Sequence, residues 1–122
     1  MIVAGFGFTT SASADSLRQA LHATGYVGVP DHLATAQDKA GTPTFRQFAE
    51  SLPCHIIAVP VQKLTAMTTQ TQSAHSHTTR NTGSVAEAAA LAAAGPGATL
   101  ICARVISPDR KATCAIAKGP DT

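Results

Sequence analysis

Three short stretches of this 122-residue chain combine residue types and spacings suited to chemistry. The first is Gly5-Phe6-Gly7 followed by Thr9, Thr10 and Ser11. Two glycines let the backbone approach a ligand closely, and a helix starting after them offers unpaired N–H groups to an anion. Thr10 stands where a dinucleotide fingerprint needs its third glycine, so the pattern points to a general anion-binding turn. A tight turn that needs glycine only for its backbone explains the pair equally well. The second stretch centres on Lys39, a lone cation among few charges, suited to an acidic ligand or simply solvated in a loop. The third runs from Arg80 to Glu87. Here Ser84-Val85-Ala86-Glu87 fits a capping box, which accounts for Glu87 without a role as general acid or base.

Other candidate constellations stay incomplete. His75-Ser76-His77 can place two imidazoles on one side of an extended segment, but no cysteine or carboxylate nearby completes a ligand set, and no metal is assigned. Cys54 and His55 are neighbours in a strand, so they point to opposite faces and form no nucleophile–base pair.

The elements that must position these residues alternate in type. Ile2 to Phe6 reads as a buried strand closed by Gly5-Phe6-Gly7. Ser11 or Ser13 caps a helix reaching Thr24, with Leu17, Ala20, Leu21 and Thr24 inward and Gly25 as its C-terminal stop. A weaker strand around His32–Ala36 ends at Gln37-Asp38-Lys39. Thr42-Pro43 opens a second helix whose Phe45, Phe48, Ala49 and Leu52 share one face. Cys54–Val59 is a continuous apolar run of the kind buried on both faces of a sheet, with a helical turn expected near Val61–Met67. The polar segment from Thr68 to Gly83 is too long for an idle connection. The helix opened by Ser84 ends at Gly95-Pro96-Gly97, and Ala98–Ile106 and Lys111–Ala117 form a hairpin across Ser107-Pro108-Asp109-Arg110.

This order predicts an α/β fold: a three-layer sandwich around a mixed, mostly parallel sheet of about five strands, with a C-terminal antiparallel hairpin. Residues 1–118 are expected to form one domain, with 119–122 a flexible tail. In such sheets ligands bind at the carboxyl ends of the parallel strands. That rule gathers Gly5 to Ser11, Asp38-Lys39, the polar segment and the amino end of the last helix at one edge.

Charge and composition exclude several classes. Nine basic against seven acidic residues leave +2, too little for a general nucleic-acid binder. No apolar run approaches the roughly 18 residues of a membrane span. Three cysteines with no Cys-x-x-Cys spacing, each in an apolar run, fit a reducing compartment and a cytoplasmic protein.

With these residues in place, the chain resembles the CobE family, equivalent to the C-terminal domain of CbiG, of cobalamin biosynthesis. Val3-Ala4-Gly5-Phe6-Gly7-Phe8 is similar to the family's opening strand and loop. Leu33 to Lys39 resembles its second strand, and Thr71-Gln72-Ser73 its Thr-x-Ser loop. Thr82-Gly83-Ser84-Val85-Ala86-Glu87-Ala88-Ala89-Ala90-Leu91 resembles its Thr-Gly-x-x-x-x-Glu-Ala-Ala signature. Phe8 and Thr9 stand where the family often has Cys and Arg, and Arg104 replaces a lysine near the end of the fourth strand.

The resemblance implies corrin-ring synthesis. In CbiG proteins it implies opening of the ring-A lactone of cobalt-precorrin-5A with loss of acetaldehyde. CbiG proteins carry N-terminal sequence in addition to the part that this chain resembles. The expected partner is therefore a precorrin or corrinoid intermediate, carried or acted on in a CbiG-like step, with no cofactor. The ligand-binding residues would be Gly5, Gly7, Phe8, Thr10, Ser11, Lys39, Ser73, Arg80, Thr82, Gly83, Ser84 and Arg104. In a hydrolytic step Lys39 and the Ser84 amide would stabilise an oxyanion while Glu87 or a histidine moved protons. Phe8 and Val85 would contribute an apolar floor. Two rivals remain: a non-catalytic module docking onto other cobalamin-biosynthesis enzymes, and a small-anion or nucleotide enzyme resting on the glycine turn alone.

Overall fold

A computed structural model of the chain describes residues 1–52, 54–60, 62, 63, 85–95 and 97–119. Their element order is β1 (Ile2–Phe8), α1 (Ala14–Ala23), β2 (His32–Ala36), α2 (Gln37–Ala40), α3 (Pro43–Glu50), β3 (His55–Val59), α4 (Val85–Ala94), β4 (Thr99–Ile106) and β5 (Ala112–Lys118). The strands form a single sheet in the order β3-β2-β1-β5-β4. β1, β2 and β3 run parallel, while the β4–β5 hairpin joins antiparallel to β1. This is the mixed α/β sandwich that the alternation of elements predicts.

The two faces of β1 carry different residues because side chains alternate along a strand. Ala4 and Phe6 face α1 and α3, in a core with Leu17, Ala20, Leu33, Phe45, Phe48, Cys114 and Ile116. Phe6 meets Phe45 and Phe48 edge-on, with ring centroids 5.8 and 5.2 Å apart. Such pairs add roughly 0.5–1.5 kcal/mol each beyond their buried area. Val3 faces the opposite side, where Ala88, Ala89, Ala90 and Ala94 of α4 complete a second core.

Gly5 and Gly7 lie on that second face, inside β1, which runs on to Phe8. The strand was expected to stop at this pair. A Cβ on Gly5 would fall 2.6 Å from the Ala90 nitrogen and would collide with the Ala86 carbonyl. The glycine is thus a packing requirement: it lets an alanine helix lie directly on the strand. A strand glycine needed for close backbone approach and a turn glycine look alike in sequence.

The helix ends follow the expected chemistry. Ser13 caps α1 by accepting from the Ser16 N–H, and Ser16 returns a bond to the cap. Gly25 follows the helix at φ +74°. Thr42 caps α3, with Pro43 in its first turn.

β3 departs from expectation. It is an edge strand with His55, Ile56 and Ala58 exposed and only Val59 buried, because an apolar run alone does not distinguish an edge from a centre. Gln37-Asp38-Lys39 forms α2 rather than the end of a strand, β4 starts at Thr99, and β5 runs from Ala112 to Lys118. β4 pairs with β5 through two register slips, between Leu100 and Cys102 and between Cys102 and Val105. Gly119 is buried, its N–H bonded to the Met1 carbonyl at 2.8 Å. The expected turn at Val61–Met67 lies outside the described residues except for Gln62 and Lys63, and the polar segment Thr68–Gly83, Pro96 and residues 120–122 lie wholly outside them.

Candidate functional site

Because β5 is antiparallel to β1, its start at Ala112 pairs with Phe8. The hairpin tip therefore sits at the carboxyl edge of the parallel strands. Four pieces meet there: the end of β1, the loop to α1, the short helix α2 and the tip 107–111.

Phe8 and Lys39 form the first contact. The Lys39 ammonium lies 5.2 Å from the centre of the Phe8 ring. The ring stacks in turn on Phe45 at 5.8 Å and 3°. A cation over an aromatic face is worth about 0.5–1 kcal/mol at such a partly exposed site. Phe8 and Lys39 are both partly exposed, so plate and charge are presented together.

The loop after β1 is held open beside them. The Thr9 N–H donates to the Lys111 carbonyl at 2.9 Å, and the Ala12 N–H to the Thr9 carbonyl at 3.1 Å. The Thr9 and Ser11 hydroxyls are 3.1 Å apart, and Thr10 and Ser11 are exposed. Within the strands, Thr35 donates its hydroxyl to the Phe6 carbonyl at 2.9 Å and Thr113 to that of Gly7 at 3.2 Å.

The hairpin tip is braced by Asp109. One carboxylate oxygen accepts the Ser16 hydroxyl of α1 at 2.6 Å; the other accepts the Ser107 hydroxyl and the Lys111 N–H. Hydroxyl donation from Ser107, then from Ser16, holds the Asp109 carboxyl below its ordinary range. Arg110 follows at φ 61°, the only non-glycine residue at positive φ among the described residues. A left-handed side-chain residue costs about 1–2 kcal/mol.

On the α4 face, Val85 lies against Gly7, so the helix begins near the same edge. Glu87 is fully buried, and its carboxylate accepts the Arg104 N–H at 2.9 Å. It pins the first turn of α4 to β4 where the register slips. Arg104 itself lies along β4, below the rim. Gly5 is buried beneath α4, and Gly7 is partly buried between Thr113 and Val85.

The structure thus brings Phe8, Lys39, Thr10 and Ser11 to one edge, and joins Glu87 to Arg104 on the α4 face. Ser73, Arg80, Thr82, Gly83 and Ser84 lie outside the described residues, as do His75 and His77. Asp109, Arg110, Lys111 and Thr113 were not expected at this edge. Only the pairing of β5 with β1 brings them there, and hairpin chemistry alone does not choose a neighbour. Two shallow concavities lie elsewhere: about 370 Å³ between α3 and the start of β3, and about 390 Å³ outside α1 beside Pro108. Neither reaches the cation–aromatic pair. All three cysteines are free; burial pushes the Cys54, Cys102 and Cys114 thiols up, away from reactivity. No helix among the described residues is long and apolar enough to cross a membrane.

A five-stranded mixed sheet with an alanine helix and a phenylalanine core on opposite faces, and a polar carboxyl edge, defines a small α/β class of domain. The family model described as cobalamin synthesis G C-terminus matches residues 2–117, and the chain belongs to that family. Membership places it among the proteins of cobalamin biosynthesis. The fold is similar to the crystal structure of CobE, a protein from the cobalamin (vitamin B12) biosynthetic pathway, at TM-score 0.82 and 32% identity, covering 96% of this chain and 89% of that one. It is also similar to the cobalamin biosynthesis protein chiG from Agrobacterium tumefaciens, at TM-score 0.72 and 33% identity, covering 99% and 100% of the two chains. A putative cobalamin biosynthesis protein G homolog from Sulfolobus solfataricus shares the fold at TM-score 0.66 and 19% identity, covering 98% of this chain and 37% of that one. No curated protein sequence matches the chain.

Proposed function

We propose that the domain binds a precorrin or corrinoid intermediate across the carboxyl edge of its sheet, carrying it or presenting it for a CbiG-like lactone opening. The observation that supports this reading is the Lys39 ammonium held 5.2 Å over the partly exposed Phe8 ring, beside the Thr10–Ser11 hydroxyls. Corrin precursors carry acetate and propionate carboxylates around an apolar macrocycle. A cation, hydroxyl donors and an aromatic plate at one edge match that chemistry. Glu87, buried against the Arg104 amide, acts on this reading as a brace for α4 rather than at the ligand. A cytoplasmic setting suits the three free cysteines.

The test is a titration with a panel of purified precorrins and corrinoids, following visible absorbance and thermal stability together. Binding with unchanged pigment spectrum and mass indicates a carrier. Binding followed by acetaldehyde release indicates a hydrolase. No stabilisation or spectral change across the panel overturns the reading and favours a module that docks onto another enzyme of the pathway.

A further inference from the structure

We infer that Arg110, at the tip of the β4–β5 hairpin, is a ligand-recognition residue that grips a carboxylate at the same edge as Lys39. The inference rests on the reading of the carboxyl edge given above and extends it to a second cation, from a different element.

Four observations carry it. First, Arg110 occupies the left-handed region, φ 61°, after a turn closed by its own N–H on the Ser107 carbonyl at 2.8 Å. Hairpin loops of this kind favour Gly or Asn at that position. A long cationic side chain kept there against preference is a backbone outlier of the kind that gathers at ligand sites.

Second, the tip is locked in place. Asp109 ties it to Ser16 of α1, and the Lys111 carbonyl ties it to the Thr9 N–H of the loop after β1. A side chain on a braced backbone loses less freedom on binding than one on a loose loop.

Third, the carboxylate next to it in the chain is already engaged. Both Asp109 oxygens accept hydrogen bonds, from Ser16 on one side and from Ser107 and the Lys111 N–H on the other. Among the described residues Arg110 has no ion pair.

Fourth, strand pairing places the tip. Ala112, two residues beyond Arg110, pairs with Phe8, while Lys39 lies over the ring of the same Phe8. Arg110 and Lys39 therefore lie near the carboxyl end of the strand that bears Phe8, on segments that adjoin its two opposite neighbours, β5 and β2. That arrangement suits a broad apolar ring system with carboxylates on more than one side. A guanidinium matches a carboxylate with two parallel bonds.

The test uses the full chain and two probes, cobyrinic acid with free carboxylates and its fully methyl-esterified form. Calorimetric titration compares the unaltered protein with Arg110→Gly and Arg110→Gln. Removing one charge-assisted contact should weaken binding of the free acid by about tenfold in both variants. The ester should bind all three proteins equally, and added salt should shrink the difference for the acid. Arg110→Gly should unfold at the same or a higher temperature, since glycine suits the turn. Equal affinity of the unaltered protein and both variants for the acid overturns the role of Arg110 while leaving the edge as the binding site. Failure of the unaltered protein to bind the acid overturns the role and the edge reading together.

Discussion

The carboxylate of Glu87 and the backbone amide of Arg104 meet at 2.9 Å, although the two residues belong to different elements. Arg104 lies where β4 gains an extra residue relative to β5, between the paired positions Cys102 and Val105. A register slip leaves ladder groups without their usual partners. The fully buried carboxylate of α4 satisfies one of them. A residue recognised for its acid–base potential thus anchors a helix to an irregular strand.

Removing that anchor should be costly. Glu87→Ala takes away a buried acceptor and should destabilise the domain by about 3 kcal/mol, while Glu87→Gln keeps an acceptor oxygen and should cost less than half as much. Urea denaturation of both variants decides this. Equal losses would show that the Arg104 contact is not what Glu87 contributes.

Gly5→Ala should be severe for a steric reason. The new Cβ would lie 2.6 Å from the Ala90 nitrogen, and helix backbone cannot move aside as a flexible side chain can. A loss of about 3 kcal/mol, or failure to fold, is expected. Gly7→Ala meets Thr113 Oγ1 at 3.0 Å and Val85 Cβ at 3.5 Å, so it should cost about 1 kcal/mol. If Gly5→Ala were as mild as Gly7→Ala in thermal unfolding, α4 would not be seated as described.

Lys39→Ala separates stability from ligand affinity. Loss of the Phe8 contact should cost under about 1 kcal/mol, leaving the fold intact. Affinity for a carboxylate-bearing corrinoid should fall about tenfold, and Lys39→Arg should restore most of it. An unchanged dissociation constant for Lys39→Ala at matched stability would remove Lys39 from the site.

Asp109 gives a pH dependence with a definite sign. Its folded-state carboxyl lies below the ordinary value, through donation from Ser107 and Ser16. The stabilisation it provides is therefore complete above the unfolded value of about 3.9, and is lost as the pH falls below that into the acid range. The melting temperature of Asp109→Asn should lie below that of the unaltered protein at pH 7, and the gap should narrow as the pH falls below about 3.9. A gap of constant size over that range would mean that the charge of Asp109 is not what fastens the tip.

Local chemistry was the legible part of the sequence. Ser13, Thr42 and Pro43 announce helix starts because a cap acts within a single turn, and the Phe45–Phe48–Ala49 spacing announces a buried face. The glycines misled because Gly5 answers to a helix some 80 residues away, and proximity of that kind leaves no local mark. The same reason hid the edge character of β3, which depends on which strand pairs with which. Lys39 was recognisable as a cation after the second strand, but its position over Phe8 depends on α2 folding back. Arg110 was legible only as a turn residue, since its place at the candidate site follows from the antiparallel pairing of β5 with β1.

The two register slips in β4 also shape how copies of this protein meet one another. A regular outer strand is a template on which another chain can extend the sheet, the first step towards fibrous aggregates. β4 is the last strand on its side, and it exposes Ile101 and Ile106. Its displaced backbone groups do not present the evenly spaced row that an incoming strand requires. The irregularity that Glu87 repairs on the inside thus guards a greasy border on the outside. Straightening β4 by deleting the extra residues would turn that border into a surface for self-association.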